Sequence, residues 1–327
     1  MVQLGYAIST EEHAPNDMVR YARLAEDAGF TFSLVSDHFH PWVSEQGHSP
    51  FIWSLLGAIA HNTKTLTVGT GVTAPIIRIH PAIIAHAAAT VAAMMPGRFF
   101  LGVGTGENLN EHILGDRWPA YAVRAEMLEE AIEVIRLLWK GGFQSHYGKH
   151  YTVENARLYT LPDAAPPIVM AAGGPESAEM AGKLTDGLVA TGPDAELVKT
   201  FERQGSKKRP KYGKVTVCWA RTTEEARATA YRVWPTAGLK GDLSQELPTP
   251  LQFEAAVENV SEADVAKVLT CSHKADDHLD VIQKYIDAGF DHVYVHQVGP
   301  DQEGFIEFYR KQILPAFVGA KRSSKSA

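Results

Sequence analysis

Eight short apolar segments alternate with amphipathic helical segments along this chain, and no other feature constrains the fold as strongly. The apolar segments cover residues 2–8, 31–37, 65–72, 98–104, 167–173, 187–192, 214–220 and 292–298. Between them, apolar residues recur at helical spacing, as in 17–30, 124–140 and 276–290. Parallel strands joined by helices are apolar on both faces, because helices cover both sides of the sheet. Eight such units predict an α/β fold of the (β/α)₈ TIM-barrel type, although a doubly wound open sheet would show a similar alternation.

The alternation extends over nearly the whole chain, which predicts a single domain over residues 1–320. The one departure is 221–275, within which residues 234–250 are rich in proline, glycine and polar side chains. We interpret this segment as an insertion before the last strand that covers the barrel mouth. The final residues, 321–327, are mostly basic or serine and are expected to form a disordered tail.

Charge and cysteine content narrow the class of partner and the compartment. The formal net charge is −7 and the pI is near 6.1, so no overall basic field would attract nucleic acid or anionic lipid. Cys218 and Cys271 lack CxxC spacing, and no apolar run approaches the roughly 20 residues that a membrane span needs. We therefore expect a cytoplasmic protein with a small-molecule substrate and with neither a nucleic-acid nor a membrane partner.

Polar side chains collect directly after two of the predicted strands. The second strand is followed by Asp37, His38, His40 and Trp42, and the fourth is followed by Glu107. In a (β/α)₈ barrel the C-terminal ends of the strands form the active-site face. These residues are therefore the first candidates for a functional site.

His38 and His40 form a His-x-His pair that has three interpretations. A metal site would need further His or Asp ligands at the ends of the fifth, sixth and eighth strands, where only His296 is present, so we predict no metal. The other two interpretations are a structural histidine and a general acid–base, which suits an imidazole that titrates near neutrality. Trp42 is either a packing residue or an aromatic lid over a substrate.

Two glycine-rich segments follow the fourth and fifth strands. GVGTGE (102–107) has GxGxG spacing, which argues against a Rossmann dinucleotide site. Its glycines either let a flat ring lie against the backbone or form a tight turn, and Glu107 is either a structural acid (a helix N-cap or an ion-pair partner) or a catalytic group. AAGGPES (171–177) is either a plain turn or, with its glycines at a helix start, a phosphate site.

Taken together, these motifs resemble those of the luciferase-like deazaflavin-dependent oxidoreductases, most closely the F420-dependent glucose-6-phosphate dehydrogenase group. The resemblance is carried by SDHFHPW (36–42), TVGTGVTAP (67–75), FFLGVGTGENLNE (99–111), AAGGP (171–175) and DGLVATG (186–192). It implies a bacterial luciferase-like TIM barrel that binds coenzyme F420 as a homodimer. It also implies hydride transfer from a hydroxyl-bearing carbon to C5 of the deazaflavin.

The resemblance implies roles for individual residues. His38 would take the proton of the substrate hydroxyl, and Glu107 would protonate or hydrogen-bond the ring nitrogen. Trp42 would pack over the reacting carbon, Glu11 matches a further active-site acid, and the Gly71–Val72 bond corresponds to a non-proline cis peptide that supports the ring. The residues implied to bind the cofactor, with its phosphate near the two neighbouring glycines, are Asp37, Gly71, Val72, Thr73, Thr105, Gly106, Ala172, Gly173, Gly174 and Thr191.

The substrate is less well defined than the cofactor. The lysine and arginine positions that hold the sugar phosphate in that group correspond here to Pro193, Ala255 and Val268, which cannot bind a phosphate dianion by charge. The lysines considered as replacements are Lys240, Lys267 and Lys274. A sugar phosphate, an unphosphorylated sugar and a secondary alcohol all stay open. An FMN-dependent monooxygenase of the wider superfamily and a non-catalytic F420-binding protein are the alternative functions.

Overall fold

A computed structural model describes residues 2–239, 241 and 243–317, and its main feature is a closed parallel barrel. Eight strands pair in the order β1-β2-β3-β4-β7-β8-β9-β11, and β11 pairs with β1 to complete the ring. A ninth strand, β10, pairs with the C-terminal residues Val217 and Cys218 of β9. The strands are β1 (Gln3–Ile8), β2 (Phe32–Val35), β3 (Thr67–Thr70), β4 (Phe99–Val103), β5 (Gln144–Tyr147), β6 (Thr152–Ala156), β7 (Ile168–Ala171), β8 (Gly187–Ala190), β9 (Lys211–Cys218), β10 (Thr270–Cys271) and β11 (His292–Gln297). The (β/α)₈ prediction is confirmed, and the open-sheet alternative is excluded by the pairing of β8 with β9.

Helices follow the barrel strands; the longer ones cover the outside of the ring, and short ones such as α4 (Asn108–Glu111) and α10 (Pro250–Ala256) lie at its mouth. They are α1 (Pro15–Ala28), α2 (Ile52–Asn62), α3 (Pro81–Met94), α4 (Asn108–Glu111), α5 (Tyr121–Trp139), α6 (Pro175–Leu184), α7 (Ala195–Arg203), α8 (Thr223–Val233), α9 (Leu243–Glu246), α10 (Pro250–Ala256), α11 (Glu262–Val268), α12 (Ala275–Asp287) and α13 (Gln302–Phe308). Gly29 follows α1, and Gly289 lies two residues after the end of α12. Their φ angles are 104° and 99°, a left-handed conformation that glycine adopts without steric cost. None of the helices in the described ranges is long and apolar enough to cross a bilayer.

The barrel has two apolar layers. Alternate strand residues pack outward against the helices in one continuous core, whereas the interior is filled by a separate cluster that includes Phe32, Phe100, Tyr212 and Tyr294. The rings of Phe100 and Tyr212 stack with centroids 4.9 Å apart. Because this aromatic plug fills the lower barrel, the space for chemistry lies above it, at the C-terminal strand ends.

Two elements were not predicted from the sequence. β5 and β6 form an antiparallel hairpin between α5 and β7, and their residues are mostly polar and exposed, so hydrophobic periodicity does not reveal them. β10 is a two-residue strand near the end of the 221–275 insertion, and it pairs with the C-terminal end of β9. The predicted tail, 321–327, lies outside the described residues.

Candidate active site

His38 lies just past the end of β2, where the loop turns over the barrel mouth. Its side chain is buried, and its Nε2 lies 3.3 Å from Oε1 of Glu11, which follows β1. Its Nδ1 lies 3.2 Å from the carbonyl oxygen of His40 and 3.2 Å from Nδ2 of Asn110. Both ring nitrogens therefore have polar neighbours contributed by three different loops.

Glu11 is buried and stays ionised in spite of that burial. Its Oε2 accepts hydrogen bonds from the hydroxyls of Ser9 (2.8 Å) and Ser36 (2.7 Å). Burial alone would raise the pKa of Glu11. The attraction of His38, the Ser36 hydrogen bond and the charge of Lys214 outweigh it and lower that pKa to about 2. A carboxylate is thus held at the Nε2 edge of the His38 imidazole.

Asn110 links the loops after β2 and β4, and its orientation is determined by its partners. Its Oδ1 accepts from the backbone N–H groups of Phe39 (2.8 Å) and His40 (3.2 Å), so its Nδ2 must face His38 and Glu107. Because Nδ2 donates to Nδ1 of His38, neutral His38 carries its hydrogen at Nε2, directed at Glu11. A second proton would be held at Nδ1 by the carbonyl of His40.

Glu107 approaches His38 through Asn110. Its Oε2 accepts from Nδ2 of Asn110 at 3.3 Å. It occupies the N-cap position of α4, but its side chain makes no cap hydrogen bond, and it has no ion-pair partner within 4.0 Å among the described residues. The two structural interpretations of this acid, an N-cap and an ion pair, are therefore not supported.

Trp42 is held between the β2 loop and the insertion. Its ring centroid is 5.1 Å from that of His38, and on the other side the buried ring of Phe253, from α10, meets it edge-on at 5.2 Å. Val43 and Leu109 complete this small apolar cluster. Trp42 is thus both a packing residue and a neighbour of His38.

His40 does not share the surroundings of His38. Its Nδ1 lies 2.9 Å from the carbonyl oxygen of Leu109, and its ring stacks on His112. Both histidines lie beyond the last residue of β2, so the side-chain alternation of a strand does not apply to them. Across the part of the chain that the structure describes, no group of three potential ligands is arranged to hold a metal ion.

The end of β3 carries the non-proline cis peptide that the resemblance implies, between Gly71 and Val72. Thr73, the next residue, donates from its hydroxyl to Oδ2 of Asp37 at 2.8 Å. The guanidinium of Arg78 donates to the other oxygen, Oδ1, at 2.8 Å. Both oxygens of the Asp37 carboxylate are thus engaged within the protein, so Asp37 and Thr73 shape the floor of the mouth as a unit.

The glycines at the end of β4 and just after it serve the packing of β3 against β4. A Cβ at Gly102 would lie 2.0 Å from the carbonyl oxygen of Thr70, and one at Gly104 would lie 2.7 Å from the side chain of Val72. Gly106 has φ of 71°. These glycines therefore permit the close approach of the cis segment, and the next residues, from Thr105 to Glu107, are partly exposed at the mouth.

The glycine turn after β7 follows the strand that pairs with β4. A Cβ at either Gly173 or Gly174 would meet nothing within 4 Å, so the space beside the N-terminus of α6 is open. However, both of their N–H groups donate to Oγ of Ser177, which caps the helix. The plain turn and the phosphate site both stay open as interpretations of this segment. Ala172 is buried beneath this turn, and Thr191 is exposed after β8.

Several residues that shape the mouth were missed as site residues, because each precedes or lies within a regular element. Arg78 is joined to Asp37 and also lies 3.5 Å from Glu111, a buried acid whose pKa burial raises to about 7. Lys214 points into the barrel from the middle of β9 and lines a cavity that Glu11 also lines. A lysine at the start of the predicted strand 214–220, whose other residues are mostly apolar, was the available signal for it.

The predicted sugar-phosphate positions carry no cation here. Pro193, Ala255 and Val268 are all exposed. Of the lysines considered as replacements, Lys267 is exposed and paired with Asp264 at 2.9 Å, and Lys274 is exposed at the start of α12. Lys240 lies outside the described residues.

The barrel and the residues at its mouth define a luciferase-like (β/α)₈ protein, and the chain belongs to that family. The family described as luciferase-like monooxygenase matches residues 2–292. F420-dependent glucose-6-phosphate dehydrogenase 2 of Rhodococcus jostii (strain RHA1) is 35% identical over 328 residues, covering 96% of this chain and 97% of the relative. The F420-dependent glucose-6-phosphate dehydrogenase of Mycobacterium avium (strain 104) is 34% identical over 328 residues, with the same coverage.

A solved structure matches almost the whole length of the chain. It is an F420-dependent secondary alcohol dehydrogenase in complex with an F420-acetone adduct. It is 28% identical to this chain, with a TM-score of 0.89, and the match covers 96% of this chain and 98% of that structure. The chain is therefore similar in sequence to sugar-phosphate dehydrogenases and in structure to an alcohol dehydrogenase, all of which are named as F420-dependent.

Proposed function

We propose that this chain is an F420-dependent dehydrogenase that oxidises a hydroxyl-bearing carbon. The observation that carries the proposal is the joining of His38, Glu11, Asn110 and Glu107 by contacts of 3.2 to 3.3 Å at the barrel mouth. The chemistry needs one group that takes a proton from a hydroxyl and one acid on the opposite reactant. His38 and Glu107 are groups of those two kinds.

The residues present fit coenzyme F420. Val72, which follows β3, is partly exposed at the mouth, and the space beside Gly173 and Gly174 is open to a phosphate. When bound, the deazaflavin supplies a hydride acceptor that does not pass single electrons to oxygen. The protein then has to orient two reactants and manage protons.

The surroundings of His38 suit it to hold a proton. In the imidazolium form, Nε2–H is directed at the Glu11 carboxylate and Nδ1–H at the carbonyl of His40, so both N–H groups have acceptors. Asn110 keeps its bond to Glu107 in either form. Trp42 and Phe253 shield this side of the imidazole from solvent, which strengthens the interaction with Glu11.

The test is cofactor binding followed by turnover. We expect the purified chain to bind F420 and to bleach its visible absorbance with at least one alcohol, sugar or sugar phosphate. The panel should pair each sugar phosphate with its dephosphorylated form, because Pro193, Ala255 and Val268 carry no charge that would hold a phosphate. F420 binding without turnover on an exhaustive panel would instead support the non-catalytic alternative.

The second candidate function is an FMN-dependent monooxygenase, which the family's own description favours. Parallel titrations with F420 and FMN separate the two functions. Micromolar FMN binding without F420 binding would favour the monooxygenase over the dehydrogenase, since each function depends on its own cofactor.

A further inference from the structure

We propose that Lys214 is a positioning residue for the reaction, whose charge partly offsets that of Glu11 and so favours the form of His38 that can accept the substrate proton. Lys214 does not contact the reacting atoms in this proposal; it acts through Glu11. The proposal rests on the function proposed above, but its central measurement uses the protein without cofactor or substrate.

Lys214 lies inside the barrel, one layer above the aromatic plug. It is two residues after Tyr212, which belongs to the interior cluster, and it is in register with Tyr294 on β11. Its Nζ lies 5.9 Å from the ring centroid of Trp234, and none of the described acids comes within 4.0 Å of it. Burial lowers the pKa of Lys214 below its usual value, and the attraction of Glu11, Glu12 and Glu107 offsets this lowering only in part.

Three other acids at the mouth, Glu12, Asp37 and Glu111, have partners that lie closer to them than Lys214 does. Glu12 accepts from Nε2 of His296 at 2.8 Å and from the N–H of Gly299 at 2.9 Å. Asp37 and Glu111 share Arg78. The titratable and charged groups around Glu11 and His38, taken over all the elements packed there, are Glu12, His13, Asp37, His48, Glu107, Lys214, Tyr294 and His296.

Glu11 and Lys214 are left facing a shared space. They line one small cavity of about 20 Å³ together with Ser36, Trp234 and His296, which is enough room for about one water molecule between polar groups. A bridging water would couple the ammonium to the carboxylate without direct contact. The geometry thus joins β9 to the His38 loop through Glu11.

The physical reason for the arrangement is competition for one negative charge. A buried carboxylate beside an imidazole favours the protonated ring, and a protonated His38 cannot take a proton from a substrate. A second cation near that carboxylate reduces this preference. Removing the charge of Lys214 should therefore leave more of His38 protonated at neutral pH.

The experiment compares Lys214→Met with Lys214→Arg, which keeps the charge. In the free protein, the His38 ring protons are followed by NMR across pH and assigned by their absence in His38→Gln. We expect the His38 titration midpoint to move up by about one pH unit in Lys214→Met and little in Lys214→Arg. The low-pH side of the profile of kcat/KM against pH, its acid limb, should move up by the same amount. At a fixed pH on that side, kcat/KM should therefore fall about tenfold.

Lys211→Met is the matched control, since Lys211 lies on the same strand at the opposite end of the barrel, paired with Glu202 and Asp291. It should reduce stability without moving the His38 titration. If Lys214→Met does not fold, Lys214→Gln replaces it. In a Glu11→Gln background, the loss of Lys214 should not move the His38 titration midpoint any further, because Lys214 acts through Glu11.

Two results would overturn the proposal. One is a His38 titration in Lys214→Met that coincides with the wild-type curve. The other is a change confined to KM with the acid limb in place, which would make Lys214 a substrate contact. Because the NMR titration needs neither F420 nor turnover, failure of the dehydrogenase function and failure of this proposal give different results.

Discussion

At the scale of single residues, the contacts of His38 explain why one of two neighbouring histidines is suited to proton transfer. His38 has Glu11 on one nitrogen and Asn110 on the other, whereas Nδ1 of His40 faces the carbonyl of Leu109. A carboxylate stabilises the cation that forms when an imidazole takes a proton. The two rings therefore differ in surroundings although they are identical in chemistry and two residues apart.

This difference predicts the outcome of a matched pair of substitutions. His38→Ala should lower turnover by about 10² to 10⁴ fold, because it removes a general base, while leaving F420 affinity nearly unchanged. His40→Ala should lower turnover by no more than a few fold. Steady-state rates and a fluorescence titration with F420 check both; equal activity of His38→Ala and the wild type would remove His38 from the mechanism.

Glu111 supplies a pH prediction of the opposite sign to that of most acids. Burial raises its pKa to about 7, above the value of an unfolded glutamate, so the folded state favours its protonated form. Its contribution to stability is therefore full at low pH and declines as pH rises from about 4.5 through about 7. The total decline is about 3 kcal/mol at most.

Denaturation by urea at pH 5, 6.5 and 8 tests this expectation. Glu111→Gln keeps an acceptor for the N–H of Arg78 but cannot ionise. The free energy of unfolding of the wild type, relative to that of Glu111→Gln, should fall as pH rises. A constant difference would show that Arg78 holds Glu111 ionised in the folded state.

At the scale of elements, the insertion is joined to the mouth by α10 and its neighbours. Phe253 packs on Trp42, the backbone N–H of Ser44 donates to Glu254, and the side chain of Asn108 donates to the carbonyl of Glu246. Trp42 and the loop after β4 are therefore held partly by residues more than 100 positions away in the chain.

Phe253→Ala tests this coupling. Phe253 is completely buried, so its loss should reduce the free energy of unfolding by about 3 to 5 kcal/mol and should also lower kcat/KM by releasing Trp42. Leu251→Ala, on the same helix but 73% exposed, is the control and should change neither. If Phe253→Ala is measurably destabilised but keeps its activity, the position of Trp42 does not depend on the insertion.

Elements with strong periodicity were predictable, and those without it were not. The eight barrel strands and the helices α1, α5 and α12 follow apolar patterns that the fold confirms. The hairpin of β5 and β6 carries polar residues at most positions, and β10 has only two residues, so neither leaves a pattern in the sequence.

At the scale of the whole molecule, we propose the homodimer that the family resemblance implies. Light scattering coupled to size exclusion should give about twice the 35.8 kDa mass of one chain. Dilution to nanomolar concentration is the control for weak association, since a stable dimer keeps its mass. A mass equal to one chain at all concentrations would contradict the prediction.

The sequence by itself determined the barrel and the kinds of residue at its mouth. Apolar strands, helical spacing and polar residues at strand ends are local patterns, and the closed parallel sheet follows from them because it buries both strand faces. The motifs around His38 and Glu107 could be located in the same way, since each occupies a few consecutive residues.

Only the tertiary structure decided which groups pair. The contact of Glu11 with His38, the orientation of Asn110 and the position of Lys214 beneath them join residues from four different strand ends or strands. Such pairings depend on strand register and barrel closure, which bring residues about 200 positions apart to one cavity. Electrostatic interactions fall with distance in space, not in sequence, so the interactions within the site could be identified only from the tertiary structure of the closed barrel.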